Sequence, residues 1–141
     1  MPSKKELRKF LLHQRLSLRQ EWVQSVSSQI CQRLMKLEFI LQAKLLFAYW
    51  PIQKEVDARF LIDKLPLKEW CLPVILGQQM EFHLFRKEHL ICHSWGIWEP
   101  VVGNFTKRNF SDADIIIVPL VGFDMEGYRL GMGAGFYDRY L

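Results

Sequence analysis

The glycine-rich segment 118–141 contains the residues whose types and spacing most directly suggest chemistry. It places five glycines within fourteen positions, at Gly122, Gly127, Gly131, Gly133 and Gly135. Glycines let the backbone approach an anion and adopt positive φ, so that successive N–H groups point into one concavity. Arg129 adds a positive charge at the loop entrance, and Asp138 adds a carboxylate suited to Mg2+ against a bound phosphate. These residue types predict phosphate or nucleotide binding.

Two predicted elements flank the glycines and would hold them in place. Residues 115–118 form an apolar run that predicts a buried strand, and residues 136–141 contain no helix breaker and predict the start of a helix. The helix N-terminus would add roughly half a positive charge. Neither G-x-x-x-x-G-K-[ST] nor G-x-G-x-x-G is present, so the spacing alone leaves a phosphate site and a plain tight turn as alternatives.

The middle of the chain predicts the sheet that carries this segment. The pattern indicates strands at 45–50, 70–76 and 80–85. A helix is predicted at 58–65, between the first two strands, and a turn at 77–79, between the last two. Pro73 lies within the second strand and predicts an edge position or a bulge, because proline cannot donate a ladder hydrogen bond. The order of strand, helix, strand and hairpin predicts an α/β fold with a central mixed sheet flanked by helices.

Two acids follow the first predicted strand, at the edge of an α/β sheet where ligands usually bind. Glu55 comes directly after the strand and its connection, so it is a candidate binding residue. Asp57 stands just before the predicted helix and is expected to be a helix-start acid. The four histidines have no metal-binding spacing, and His13 and His83 are expected at the surface.

The N-terminus predicts two helices. Residues 3–16 form an amphipathic pattern, and Ser17 followed by Gln20 resembles a capping box that would start the second helix. The apolar stripe of that second helix is expected to contain Val23, Val26, Ile30 and Leu34. On the first helix, basic residues four positions apart share a face, and the two candidate pairs are Lys4 with Arg8 and Lys5 with Lys9.

Composition and charge narrow the class of protein. The chain has 141 residues, of which 50% are hydrophobic and 24% charged, so one domain spanning 1–141 is expected. Cys31, Cys71 and Cys92 form no C-x-x-C pair and predict buried thiols rather than disulfides or a zinc site. No apolar run reaches membrane-spanning length and the N-terminus lacks a signal-peptide core, so a cytoplasmic location without a membrane partner is expected.

The formal charge of +4 is concentrated at the N-terminus. Residues 1–36 contain eight basic and two acidic residues, whereas residues 37–141 contain eleven basic and thirteen acidic ones. A basic arm suits nucleic acid or an anionic ligand. Because these charges are scattered around the predicted helices, a solvated surface is favoured and no nucleic-acid partner is expected.

The string VPLVGFDMEGYRLGMGAGFYDRYL resembles the most recognisable segment of the 5-formyltetrahydrofolate cyclo-ligase family, also called 5,10-methenyltetrahydrofolate synthetases. The family pattern is approximately VPGLAFDxxGxRLGRGGGYYDRxL. The resemblance implies a fold of the type found in ribose-phosphate isomerases and CoA transferases, and a monomer. It also implies that ATP and Mg2+ convert 5-formyltetrahydrofolate to 5,10-methenyltetrahydrofolate, through phosphorylation of the formyl oxygen.

The resemblance also implies roles for particular residues. ATP would be bound by Lys4, Arg8, Arg129, Leu130, Gly131, Met132, Gly133, Ala134, Gly135, Phe136 and Tyr137. Among these, Arg8 and Arg129 would act in catalysis by stabilising charge on the transferred phosphoryl group. Asp138 would hold the metal ion. The folate would be bound by Tyr49, Trp50, Glu55 and Trp95, with Glu55 placed against the pterin ring.

The chain departs from the family pattern in the loop and at its C-terminus. Met132 stands where the family usually has arginine, and Ala134 stands where it has glycine or lysine. Family members continue past the position of Leu141, so a missing C-terminal part is expected. Two alternatives to the enzyme therefore stay open: a non-catalytic nucleotide- or folate-binding relic, and an enzyme that acts on CoA or a sugar phosphate on a similar fold.

Overall fold

A mixed sheet stands at the centre of the structure, a computed structural model that describes residues 1–93 and 96–141. The helices are α1 (Lys4–Leu16), α2 (Gln20–Leu34), α3 (Glu38–Gln42), α4 (Arg59–Lys64) and α5 (Phe136–Tyr140), with a 3-10 turn at Phe110–Asp112. The strands are β1 (Leu45–Phe47), β2 (Glu69–Leu76), β3 (Gln79–Leu84), β4 (Leu90–Cys92), β5 (Trp98–Pro100), β6 (Lys107–Arg108), β7 (Ile115–Ile116), β8 (Gly122–Phe123) and β9 (Arg129–Leu130).

The described part of the central sheet has the strand order β6-β3-β2-β1-β7. β1 runs parallel to both β2 and β7, whereas β3 runs antiparallel to β2 and β6. Two short ribbons, β4 with β5 and β8 with β9, stand apart from it. The predicted α/β fold with a central mixed sheet flanked by helices is therefore confirmed.

Alternating side chains of β1 build a core on each face of the sheet, as the two-residue period of a strand requires. Leu46 packs with residues of α2, α3 and α4, whereas Phe47 stacks on Phe82 with ring centroids 4.5 Å apart and faces α5. Burial of these apolar side chains is the main favourable contribution to folding. Because both faces are covered, the end of β1 is held rigidly and can position the residues that follow it.

The first helix begins at a capping box that the sequence pattern did not identify. The Ser3 hydroxyl accepts a hydrogen bond from Glu6 N at 3.2 Å, and the Glu6 carboxylate accepts one from Ser3 N at 2.8 Å. The predicted capping box at Ser17 was wrong, because its hydroxyl donates to Gln14 O at 2.7 Å and so belongs to the end of α1. Arg19 precedes α2 without a side-chain cap.

The buried face of α2 differs from the predicted stripe. Val23, Ser27 and Cys31 are buried, whereas Val26, Ile30 and Leu34 are only half-buried. Ser27 and Cys31 turn inward because the loop before α4 lies against them. Asp57 N donates to the Ser27 hydroxyl at 2.9 Å, and the Cys31 thiol donates to Asp57 O at 3.6 Å.

Two strand predictions need correction. The strand predicted at 115–118 is shorter and only half-buried, because β7 lies at the end of the described sheet. Pro73 lies in β2, which stands between β1 and β3 rather than at an edge. β1 pairs with β2 only as far as Cys71, so β2 has no β1 partner at the position of Pro73. The proline is tolerated because no neighbouring strand there needs the N–H that it lacks.

Two further burial predictions were wrong. His83 is 1% exposed, because its ring bridges the Thr106 hydroxyl at 2.8 Å and the Glu81 carboxylate at 3.0 Å between β3 and β6. Cys92 lies at the end of a two-stranded ribbon and is exposed, whereas Cys31 and Cys71 are buried as predicted. Among the described residues, no helix combines the length and apolar character needed to cross a lipid bilayer.

Candidate functional site

A cavity of about 330 Å³ opens where the end of β1, the glycine-rich segment and α1 meet. Thirteen of the residues proposed from the sequence line it, namely Arg8, Tyr49, Trp50, Glu55, Arg129, Gly131, Met132, Gly133, Ala134, Gly135, Phe136, Tyr137 and Asp138. They come from three distant parts of the chain. The fold therefore gathers the predicted nucleotide residues and the predicted folate residues around one space.

Two of the proposed residues that the structure describes are not among those lining the cavity. Lys4 is exposed at the start of α1, and Leu130 is half-buried in β9. Trp95 lies outside the described residues, so its predicted role stays a prediction. The cavity is therefore defined by α1 through Arg8, by the residues after β1 and by the glycine loop, the name used below for residues 131–135.

Arg8 joins α1 to the glycine loop. Its Nε donates a hydrogen bond to Gly131 O at 2.7 Å, so the guanidinium lies against the loop backbone. Lys5 and Lys9, on the neighbouring face, are exposed and are absent from the cavity lining. The geometry thus favours the face of Lys4 and Arg8 over that of Lys5 and Lys9.

The backbone of Gly133 favours glycine, because its φ of +104° lies where residues with a side chain are strained. An added Cβ would also be in van der Waals contact with the guanidinium of Arg8, at 3.4 Å, so a larger side chain would meet it. Arg139 supports the far side of the loop by donating to Ala134 O at 2.9 Å and to Gln78 O at 2.9 Å. The loop is therefore fixed between two arginines, with its backbone facing the cavity.

The proposed phosphate residue and the proposed metal residue are paired with each other. Arg129 Nη2 donates to Asp138 Oδ1 at 2.5 Å, and the side chain of Asp138 is 78% exposed. Among the described residues, no group of three or more His, Cys, Asp or Glu side chains lies close enough together to hold a metal ion. A single exposed carboxylate suits Mg2+ that arrives on a nucleotide, since Mg2+ takes few protein ligands beside phosphate oxygens and water.

Glu55 places a buried carboxylate in the cavity wall. It is 7% exposed, and its Oε2 accepts a hydrogen bond from Ile52 N at 2.9 Å. Burial raises the pKa of the Glu55 carboxyl above its ordinary value, and the bond from Ile52 N and the positive charge of Arg15 only partly oppose that effect. A carboxylate with free lone pairs in a desolvated wall is suited to bind a ligand that presents N–H donors.

Asp57, two residues later, has a structural task. It is buried, and both its oxygens accept from the Arg59 side chain, at 2.7 and 2.6 Å, while Oδ1 also accepts from Arg59 N at 3.1 Å. Burial raises the Asp57 pKa, but the hydrogen bonds and charge of Arg59 outweigh it, so the net pKa is below the ordinary value. Asp57 lies directly before the cap residue Ala58, so it is neither the N-cap nor a first-turn acid of α4, but it accepts from Arg59 N at the helix start.

Tyr49 and Trp50 both line the cavity, but only Trp50 presents a half-exposed ring. The Tyr49 hydroxyl donates to Val56 O at 2.7 Å and so ties the end of β1 to the loop before α4. Trp50 lies under the guanidinium of Arg59 at 4.8 Å and beside the ring of Trp98 at 6.3 Å. The indole of Trp50 is therefore the aromatic surface more available to a planar ligand.

The Tyr137 hydroxyl is buried and has no hydrogen-bond partner within the described part of the chain. Burial raises the pKa of this hydroxyl, so it stays neutral and can donate. A buried hydroxyl left without a partner is costly, and such groups are uncommon in native structures. Because Tyr137 lines the cavity, its hydroxyl is available to donate a hydrogen bond to a ligand bound there.

Sequence reasoning missed two residues of this region. Glu99 is 4% exposed in the cavity wall, where it accepts from Ile75 N at 2.7 Å and pairs with the exposed His93. Arg15, near the end of α1 and outside the cavity lining, donates hydrogen bonds to Gln53 O, two residues before Glu55, and to Leu120 O. The spacing of Arg15 from Arg8, seven residues or two helical turns, is a signal that would have identified it.

Comparison of the amino-acid sequence with those of known proteins finds a matching family and similar relatives. The sequence model of the 5-formyltetrahydrofolate cyclo-ligase family matches residues 1–141. A 5-formyltetrahydrofolate cyclo-ligase of Haemophilus influenzae is 35% identical over 113 residues, covering 71% of this chain and 57% of the relative. One of Escherichia coli is 32% identical over 133 residues, covering 90% of this chain and 73% of the relative.

A solved structure gives the same picture. The NMR structure of Aquifex aeolicus 5,10-methenyltetrahydrofolate synthetase superimposes with a TM-score of 0.86 at 39% sequence identity. The match covers 97% of this chain and 71% of that one. The likeness therefore extends over nearly the whole length of this chain.

Proposed function

The chain belongs to the 5-formyltetrahydrofolate cyclo-ligase family, and from that membership we propose that it converts 5-formyltetrahydrofolate to 5,10-methenyltetrahydrofolate with consumption of ATP. The observation that carries the proposal is the single cavity that contains both Glu55 and the pair Arg8 and Arg129. A reaction that joins a phosphoryl donor to a folate needs the two sets of binding groups within one space.

The nucleotide side of the cavity is formed by the glycine loop with Arg8 and Arg129. Phosphoryl transfer leaves little covalent work for the protein, so positioning and charge neutralisation dominate. Arg8, already fixed on Gly131 O, and Arg129, anchored by Asp138, would stabilise the charge on the transferred phosphoryl oxygens. Lys4, on the same helix face as Arg8, would add a further charge.

The metal ion that accompanies ATP would neutralise phosphate charge, and Asp138 would supply one carboxylate oxygen to it. In the described structure that carboxylate is held by Arg129, which keeps it at the mouth of the cavity. When nucleotide binds, Arg129 would turn its charge towards the phosphates and release Asp138. Before substrate binds, Arg129 and Asp138 therefore neutralise each other's charge.

The folate side is formed by Glu55 and Trp50. An ionised Glu55 would accept two parallel N–H bonds from the 2-amino group and ring N–H of the pterin, with Trp50 beside the ring. The γ-phosphoryl group would pass from ATP to the formyl oxygen with ADP leaving, N10 would then attack the activated carbon and lose its proton to solvent, and the C–O bond would break as phosphate leaves. Glu55 orients the folate for this sequence and does not itself exchange a proton.

Turnover of the purified chain tests this function. Incubation with 5-formyltetrahydrofolate and Mg-ATP is expected to give 5,10-methenyltetrahydrofolate, followed by its absorbance, with one ADP released for each product molecule. Omission of either substrate should abolish the absorbance change. Release of ADP without methenyl product, or binding of neither substrate, would contradict the proposal.

Folate binding is expected to weaken as the pH falls, starting at a higher pH than an ordinary glutamate with a pKa of 4.5 would cause. Burial raises the Glu55 pKa, and the protonated carboxyl presents a donor where the pterin also presents one. The measurement is tryptophan quenching by 5-formyltetrahydrofolate from neutral to mildly acidic pH. An unchanged pH dependence in Glu55→Gln would assign the effect to another group.

A further inference from the structure

The turn that carries Glu55, residues 52–55, has an unfavourable backbone. Gln53 and Lys54 have φ of +49° and +60°, in the left-handed region that residues with side chains seldom occupy. The turn is closed by Glu55 N, which donates to Ile52 O at 3.0 Å. Such conformations persist only where the surroundings fix them, and they cluster at functional sites.

Two cationic side chains fix this Glu55 turn onto the end of α1. The Lys54 amino group donates to Leu16 O at 2.7 Å and also to Leu18 O. Arg15 Nε donates to Gln53 O at 2.9 Å. Lys54 thus satisfies carbonyl groups at and just after the C-terminal end of α1, Arg15 satisfies a carbonyl group of the turn, and together they hold the turn on that helix.

Arg15 reaches further than Lys54. Its Nη1 donates to Leu120 O at 3.0 Å, in the segment that leads from β7 to the glycine-rich hairpin, and its Nη2 lies 3.9 Å from Met132 Sδ in the glycine loop. One guanidinium thus contacts the Glu55 turn, on the proposed folate side, and Met132 of the glycine loop, on the proposed nucleotide side. The planar fork of arginine can address separate partners in this way, whereas a lysine ammonium is a single point.

We propose that Arg15 is a positioning residue that holds the Glu55 turn and the glycine loop at a fixed separation, so that both substrates meet in reactive geometry. This inference rests on the proposed function for its two ligands, but its structural basis is the three contacts of Arg15. Arg15 acts through the backbone of the Glu55 turn and of Leu120, and through the side chain of Met132 in the glycine loop.

The test compares Arg15→Ala with Glu55→Gln. Arg15→Ala is expected to raise the Kd of 5-formyltetrahydrofolate and of Mg-ATP together, each by about tenfold or more, as loss of a charge-assisted hydrogen bond would. Glu55→Gln is expected to affect the folate alone. Arg15→Lys keeps the charge but loses the fork, so it should stay close to Arg15→Ala. Full rescue by lysine, or an effect on one ligand only, would overturn the positioning role.

Hydrogen exchange of the ligand-free protein gives a second readout that does not depend on either substrate. In Arg15→Ala the amides of the Glu55 turn and of the glycine loop should exchange faster together, while those of β1 and β2 stay unchanged. The matched control is Arg19→Ala, because Arg19 is 86% exposed and pairs only loosely with Glu21 at 3.9 Å.

These two readouts separate the possible failures. If the unaltered chain binds neither substrate, the proposed function fails, and the exchange data still decide the role of Arg15. If both substrates bind but exchange in Arg15→Ala matches the Arg19→Ala control, the positioning role is wrong.

Discussion

Replacement of Glu55 by glutamine is expected to weaken 5-formyltetrahydrofolate binding by about 2–5 kcal/mol and to leave Mg-ATP affinity nearly unchanged. Glutamine keeps one acceptor but turns the other into a donor that faces a donor on the pterin. The buried position makes this mismatch costly, since water does not replace the lost partner at a site that is 7% exposed. The measurement is quenching of tryptophan fluorescence by the folate, with Trp50 in the cavity as reporter.

The structure decides which acid serves as the control for that experiment. Asp57 is close in sequence, but it is buried and held by both arms of Arg59, so Asp57→Asn would lower the stability of the fold. Glu69 is exposed at the start of β2 and lies outside the cavity lining, which makes Glu69→Gln the matched change. Equal folate affinity in Glu55→Gln and Glu69→Gln would contradict the assignment of Glu55 as the pterin anchor.

Features encoded by local spacing were predicted well from the sequence. The segment from the end of β7 to α5 contains the glycine-rich turns and the helix start that were predicted for it. Both depend on neighbouring residues, so local spacing is enough to predict them. The hairpin of β2 and β3 and the length of α4 follow from the same local rules. Mixed-sheet topology followed from the alternation of strands and helices.

Features that depend on tertiary neighbours were not predictable in the same way. His83 is buried because Thr106, the residue directly before β6, lies beside it, and that strand is only two residues long. Glu99 lies in the cavity wall because Ile75 N, which has no β1 partner beyond the end of that strand, donates a hydrogen bond to its carboxylate. Ser27 turned inward because a backbone N–H thirty residues away needed an acceptor. In each case the partner lies far along the chain, so periodicity carries no signal of it.

Sequence spacing does not show whether Tyr49 or Trp50 is the aromatic residue available to the folate, but one contact in the structure distinguishes them. Both follow β1 and both line the cavity. The hydroxyl of Tyr49 is committed to Val56 O, whereas the indole of Trp50 is half-exposed beside Arg59. The sequence offers two aromatic residues in succession, and only the direction of the chain after Phe47 distinguishes them.

Met132 and Ala134, the two departures from the expected pattern, leave the glycine loop without a charged side chain of its own. The charge at the cavity comes instead from Arg8 and Arg129, which approach the loop from α1 and from β9. Met132 Sδ lies near Arg15, so its side chain packs against the helix. We therefore expect nucleotide binding to depend on the contact between Arg8 and the loop backbone at Gly131 O.

Gly133→Val is expected to lower Mg-ATP affinity by about 1.5–3 kcal/mol, which is the range for loss of a hydrogen bond to a charged group. The added Cβ would lie 3.4 Å from the Arg8 guanidinium, and the two further methyl groups of valine would push Arg8 away from Gly131 O. The φ of +104° adds backbone strain of order 1–3 kcal/mol to the folding cost. Calorimetric titration with Mg-ATP measures the affinity, and thermal unfolding measures the strain.

Gly127→Val separates the two effects. Gly127 has a φ of +89°, but an added Cβ there meets nothing within 4 Å, and the residue does not line the cavity. It should therefore show a similar loss of thermal stability with unchanged Mg-ATP affinity. Where valine prevents folding, alanine at the same two positions gives the milder comparison. The assignment of the glycine loop and Arg8 to the phosphates holds only if the affinity loss appears at Gly133 alone, since an equal loss in both variants would reduce the loop to a structural turn.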